Sequence, residues 1–151
     1  MEKKYVILLA EDDVDDQMFV KKAYEYMKKK TSIILNVVGD GEELLSYLEY
    51  RNGYNEENAP KPDLILIDLN MPKKHGLESI EEIKEDDELK IIPILILSSS
   101  KEKEDIEKGY LSGANSYITK PETYQEYIKI MFGIEDFWLE IAKLPGGKNV
   151  D

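Results

Sequence analysis

"LILIDLNMP", residues 64–72, sets four apolar residues in a row against a carboxylate. The run reads as the middle of a strand buried on both faces. Asp68 closes it, and Asn70 with the turn pair Met71–Pro72 prevents it from continuing. A carboxylate carried to the end of so apolar a strand costs desolvation free energy, so a use for it is expected.

Working outward, the same kind of short apolar run recurs along the chain. "YVILLA" (5–10), "IILNVV" (33–38), "LILID" (64–68), "ILILS" (94–98) and "SYIT" (116–119) read as strands. Helical patterns separate them. Val14, Met18, Ala23 and Met27 fit a core stripe in the first helix, and Leu44, Leu45 and Leu48 one in the second. Ile80 and Ile83 do the same in the third, Ile106 and Tyr110 in the fourth. The spacing of Ser99 and Glu102 predicts a capping box at the start of the fourth helix. Asp40, between Gly39 and Gly41, is expected to cap the second. Five strand-then-helix units imply an α/β fold, a doubly wound five-stranded parallel sheet with helices on both faces. Its crevice is expected at the carboxyl ends of the strands.

The chain has 151 residues, 42% hydrophobic and 34% charged, which suits one folded domain. The expected division is a single domain over 1–145, a flexible tail over 146–151, and no output domain. Cysteine is absent, which excludes disulfides and thiol-ligated metal. No apolar run approaches the ~18 residues of a membrane span, and the apolar stretch after the basic start is too short for a signal peptide, so the expected location is cytoplasmic. A net charge of −12 argues against nucleic-acid binding, and Lys28–Lys30 read as cations at the negative end of a helix.

In a parallel sheet the strand ends share one rim. Glu11, Asp12 and Asp13 follow strand one, Asp68 ends strand three, Ser98 ends strand four, and Lys120 follows strand five. Glu11, Asp12 and Asp68 bring three negative charges and Lys120 offsets one, which invites a hard divalent cation such as Mg²⁺. Asp13, Asp15 and Asp16 read instead as caps of the first helix facing solvent.

With these segments in view, the chain resembles a response-regulator receiver domain of the CheY-like superfamily. "ILLAEDD", "LILIDLNMP", "PILILSSS" and "GANSYITKP" carry the likeness in order, over essentially the whole chain. The resemblance implies a flavodoxin-like receiver fold with strand order 2-1-3-4-5. It implies that Asp68 receives a phosphoryl group, that Glu11, Asp12 and Asp68 with the Asn70 carbonyl hold Mg²⁺ (Mn²⁺ or Ca²⁺ able to substitute), and that Ser98 and Lys120 contact the phosphoryl group. It further implies a switch made of Ser98 and Tyr117 and a cis Lys120–Pro121 bond. The protein implied is a phosphoacceptor signalling protein rather than an enzyme, with Mg²⁺-dependent self-phosphorylation and self-dephosphorylation.

Glu11 stands where the family commonly has aspartate, Ser98 where threonine is commoner, and His75 where aspartate is frequent. As a lone imidazole before Gly76, His75 reads as exposed rather than as a ligand. "RNGYNEENAPKPDLILIDLNMP" and "IEDFWLEIAKLP" are similar to single-domain response regulators of bacterial and cyanobacterial phytochrome histidine kinases. A sensor histidine kinase is therefore the expected partner, with a downstream phosphotransfer protein as a phosphorelay alternative. A flavin- or nucleotide-binding flavodoxin-like protein is the competing class, but no phosphate-cradling loop follows strand one. Gly39 and Gly41 alone make a weak dinucleotide fingerprint.

The last helical stretch, 123–143, is the longest. Tyr127, Met131, Ile134, Trp138 and Ile141 recur at four-three spacing, while Ile130, Phe137 and Leu144 widen the apolar surface. A twofold homodimer through this helix is expected, with Tyr127, Ile134, Phe137, Trp138 and Ile141 at its interface. The plainer alternative folds the surplus back onto the same domain.

Overall fold

The computed structural model describes residues 4–26 and 32–146. Five strands, β1 (Lys4–Ala10), β2 (Ser32–Val38), β3 (Leu64–Ile67), β4 (Ile94–Ser98) and β5 (Ser116–Thr119), pair in parallel in the order β2-β1-β3-β4-β5. This is the expected doubly wound order. Between them run α1 (Val14–Tyr26), α2 (Gly41–Glu49), α3 (Gly76–Glu85) and α4 (Lys103–Ser112). After β5 come α5 (Tyr124–Ile134) and a π-helical segment, Glu135–Ile141.

The pleat divides the apolar runs between two cores. Ile65 and Ile67 of β3 join Leu44, Ile80 and Ile83 beneath α2 and α3. Leu64 and Leu66 join Val20, Ala23, Tyr127 and Met131 beneath α1 and α5. Both faces are covered, which is why the strands carry continuous apolar residues instead of an alternation. Each such buried side chain contributes roughly 1.5–3 kcal/mol.

Two helix faces differ from the expected stripes. Val14 and Met18 are 67% and 48% exposed, and α1 buries Val20, Ala23 and Tyr24 instead. The inward row runs Asp16–Val20–Ala23–Tyr24, so its first member is acidic and hydropathy alone misplaces the phase. Met27 and Lys28–Lys30 lie outside the described residues, as does the tail beyond Gly146. In α4, Tyr110 is 50% exposed while Gly109 and Ser112 are buried. A Cβ on Gly109 would meet Ile96 Cδ1 at 2.8 Å, so any side chain there would have to displace Ile96.

The ends of the helices test the capping expectations. The Glu43 N–H donates to Asp40 Oδ1 at 2.8 Å, as expected at the start of α2. No Ser99–Glu102 box forms, because α4 begins at Lys103, three residues later than the box requires, and Glu102 makes no side-chain cap. Ser100 does that work, accepting from the Glu102 N–H and donating to Asp105 Oδ2. His75 is exposed, and its Nδ1 accepts the Leu77 N–H at 3.1 Å to cap α3. No cis peptide bond occurs among the described residues, so Lys120–Pro121 is trans, the intrinsically favoured form.

Two glycines make a matched test of these contacts. A Cβ on Gly76 would meet Asp68 O and Leu69 Cα at 2.7 Å, whereas one on Gly133, in exposed helix, meets nothing within 4 Å. Gly76→Ala is expected to cost about 1–3 kcal/mol through overpacking. Gly133→Ala should add about 0.5–1 kcal/mol of stability by restoring helix propensity. Urea unfolding of the two variants checks both signs.

Candidate functional site

Backbone hydrogen bonds just beyond the strands set the level of the rim. The Glu11 N–H donates to Val38 O (3.0 Å), Asp68 N–H to Ala10 O (2.9 Å) and Lys120 N–H to Ser98 O (2.7 Å). Each bond extends a parallel ladder by one residue, so Glu11, Asp68 and Lys120 leave the sheet side by side. Beside them opens a cleft of about 440 Å³ that also reaches Asp12, Asp16, Asn70 and Lys101.

Lys120 Nζ lies 2.8 Å from Glu11 Oε1, 2.8 Å from Asp16 Oδ2 and 3.5 Å from Asp68 Oδ2. Glu11 and Asp68 are buried, and Asp12 is exposed beside them. Burial pushes the Glu11 carboxyl up to about 8; hydrogen bonding to Lys120 opposes this and the Asp68 charge adds to it. Burial alone would depress Lys120, but its bonds to Asp16 and Glu11 and the charge of Asp68 prevail and hold it above its ordinary value. One ammonium thus serves more negative charge than it can balance. Carboxylate oxygens of Glu11, Asp12 and Asp68 all lie within 4.8 Å of one another. Such a hard-oxygen set fits a divalent cation.

The structure brings together Glu11, Asp12, Asp68 and Lys120 as the sequence implied. Asn70 is exposed at the cleft, and its N–H points to Asp68 Oδ1 at 3.4 Å. Ser98 is buried at the end of β4, and its Oγ accepts the Ser100 N–H at 3.3 Å. The half-buried Tyr117 donates from its hydroxyl to Ser100 O at 2.8 Å. Ser98 and Tyr117 therefore meet on one residue, Ser100, which sequence reasoning did not single out.

Asp13 and Asp15 behave as expected: Asp13 Oδ1 accepts the N–H groups of Asp15 and Asp16 and caps α1. Asp16 does not. Its carboxylate turns inward to Lys120 and also accepts the Tyr127 hydroxyl at 2.9 Å. The signal was present in its spacing from Val20 and Ala23, which places all three on the buried face of α1.

The expected dimer surface is only partly available. Tyr127 and Ile134 are 2% and 5% exposed and belong to the core beneath α1 and α5. Beyond Ile134 the next buried apolar residue is Leu139, five positions on. That is the repeat of a π-helix, whose i→i+5 bonds include Ala142 N–H to Phe137 O at 2.6 Å. The four-three stripe therefore breaks at Ile134. Phe137 and Ile141 are left 50% and 63% exposed, with Trp138 half-buried edge-on to Phe137.

Among the described residues no helix is long and apolar enough to cross a membrane. Comparison with known proteins agrees with the geometry. Response regulator Rcp1 of Synechocystis sp. is 40% identical over 143 residues, 93% of this chain and 92% of Rcp1. The phosphorylated cyanobacterial phytochrome response regulator RcpA is 41% identical, superposes with a TM-score of 0.83, and covers 96% of this chain and 99% of its own. The Mn²⁺-bound form of Rcp1 gives 38% identity and a TM-score of 0.80, over 93% of this chain and 99% of its own. Residues 7–132 match the response regulator receiver domain, and the chain belongs to that family as a two-component response regulator related to those of the cyanobacterial phytochromes.

Proposed function

We propose that Asp68 accepts a phosphoryl group from a sensor histidine kinase of the phytochrome type, in a single cytoplasmic receiver domain over residues 1–145. The observation that carries this reading is the sharing of Lys120 among Glu11, Asp16 and Asp68 at the rim of the sheet. An Asp68 oxygen attacks phosphorus, the bond from phosphorus to the kinase histidine nitrogen breaks, and that nitrogen leaves with the electron pair. The strand fixes the nucleophile, so position activates it and no neighbouring base is needed. Lys120 stands 3.5 Å from Asp68, in reach of oxygens on which charge gathers in a loose transition state. Glu11, Asp12 and Asp68, with the Asn70 carbonyl, would hold Mg²⁺, which supplies further positive charge against those oxygens. The same groups would support self-phosphorylation from small acyl phosphates and self-dephosphorylation.

The signal leaves through two hydrogen bonds already in place. Ser98 and Tyr117 both bond Ser100, so a Ser98 hydroxyl drawn to the phosphoryl group disturbs the anchor of the Tyr117 hydroxyl. Tyr117 then repacks between α4 and β5, which suits effects exerted through protein contacts. The exposed Phe137 and Ile141, with Trp138, suit a twofold homodimer.

With Mg²⁺ and acetyl phosphate or a phosphorylated kinase, wild-type protein should take label at Asp68 and Asp68→Asn should take none. Undiminished labelling of Asp68→Asn, read by acid-labile mass increase, would refute this acceptor. For the dimer, Phe137→Asp is expected to cost ~2 kcal/mol or more, about thirtyfold in dissociation constant. Sedimentation equilibrium decides: a wild type that stays monomeric at high micromolar concentration, labelled or not, removes the dimer from the proposal.

A further inference from the structure

One polar assembly at the rim is not needed to hold either the cation or the phosphoryl group. Asp16, in the first turn of α1, accepts from Lys120 Nζ at 2.8 Å with Oδ2 and from the Tyr127 hydroxyl at 2.9 Å with Oδ1. Tyr127 lies in the first turn of α5 and is buried, its ring stacked on Phe19 with centroids 5.3 Å apart. Phenylalanine would fill that place equally well, so the hydroxyl is explained by the carboxylate it meets. Both oxygens of Asp16 are thus engaged, one with the ammonium of the site and the other with α5.

We propose that Asp16 is a positioning residue that draws Lys120 away from Asp68 before phosphorylation and, through the Tyr127 hydroxyl, conveys the arrival of the phosphoryl charge to α5. The inference rests on the reading of Asp68 as acceptor and Lys120 as its counter-charge. Lys120 Nζ is closer to Glu11 and Asp16 than to Asp68. A phosphoryl group adds about −1.5 to −2 charge at neutral pH, and it attracts the ammonium more strongly than one carboxylate does. As Lys120 moves toward it, the half-buried Asp16 loses its counter-charge. A carboxylate so placed is costly to leave unpaired, so it shifts, and the hydroxyl bonded to its other oxygen shifts with it. The route runs along the α1–α5 face, on the opposite side of the sheet from the core under α2 and α3.

The test is amide hydrogen exchange across residues 124–134 of the full chain, with and without acetyl phosphate plus Mg²⁺. The Asp68 carboxylate attacks phosphorus and acetate leaves, and the label is measured in the same samples. Asp16→Asn and Tyr127→Phe are close in shape to the originals, and the second keeps the stack on Phe19. In labelled wild type, exchange in α5 is expected to change by about fivefold or more. Tyr127→Phe should label at the wild-type rate and lose that change. Asp16→Asn should lose it too, with an altered labelling rate because Lys120 has lost an anchor. The double variant should do no more than either single one, as for groups acting as a unit. A full α5 response in labelled Tyr127→Phe or Asp16→Asn overturns the inference while leaving Asp68 as acceptor. A labelled wild type without an α5 response does the same. A wild type that takes no label overturns the acceptor reading and this inference together.

Discussion

The ammonium of Lys120 meets carboxylates that three separate elements bring to the rim: Glu11 after β1, Asp16 in α1 and Asp68 after β3. Two of these acids are almost wholly buried. Without the ammonium they would repel one another across a few ångströms in a medium that screens charge poorly. Lys120 itself leaves the end of the four-residue edge strand β5, so the same contact ties the edge of the sheet to its centre. A buried ion pair is weak evidence for net stability, because desolvation opposes it. Its effect here is to fix where the groups stand, with the Glu11 carboxyl pushed up to about 8 chiefly by burial. Negative charge left in surplus on a rigid rim gives the site its appetite for further positive charge.

What the sequence made legible follows from which forces act locally. The strands could be read because burial on both faces leaves an unbroken apolar run, and the end of each run placed Glu11, Asp68, Ser98 and Lys120 on one rim. The phase of α1 could not, since one turn of its buried face is acidic: Asp16 faces inward because Lys120 and Tyr127, more than 100 residues later, await it. Ser100 was hidden for a related reason, its importance lying in a hydroxyl of β5 that bonds its backbone carbonyl. Both are facts of tertiary structure that no pattern within a window contains.

The C-terminal helix shows how a change of helical repeat redistributes an apolar surface. An α-helix would carry the row Tyr127–Met131–Ile134 on to Trp138 and Ile141. Widening to i→i+5 bonds after Ile134 sends Leu139 inward instead, Leu144 joins the same core from the non-helical chain beyond Ala142, and the Tyr5 hydroxyl secures the segment by donating to Leu139 O at 3.2 Å. The surplus apolar residues divide accordingly, some folding back onto the domain and Phe137 and Ile141 turning out. One side of the segment thus packs onto the domain while the other faces solvent.

Tyrosine hydroxyls stand on both sides of the sheet at the points where the rim meets the helices. Tyr117 packs its ring against α4, where Gly109 leaves room: a Cβ there would approach Tyr117 Cδ2 to 3.0 Å. A glycine inside a helix costs about 1 kcal/mol relative to alanine, a cost that the close approach of the ring accounts for. Tyr127 packs its ring against Phe19 on the other face. In each case an apolar body is held by the core while a single polar atom is bonded to a group one step from the site, Ser100 in one and Asp16 in the other. Close-packed cores yield little to a change of charge, whereas a hydrogen bond can exchange its partner. On the proposed reading, a phosphoryl group at Asp68 therefore acts first on these two hydroxyls, and the rigid sheet between them keeps the two routes in step without itself having to move.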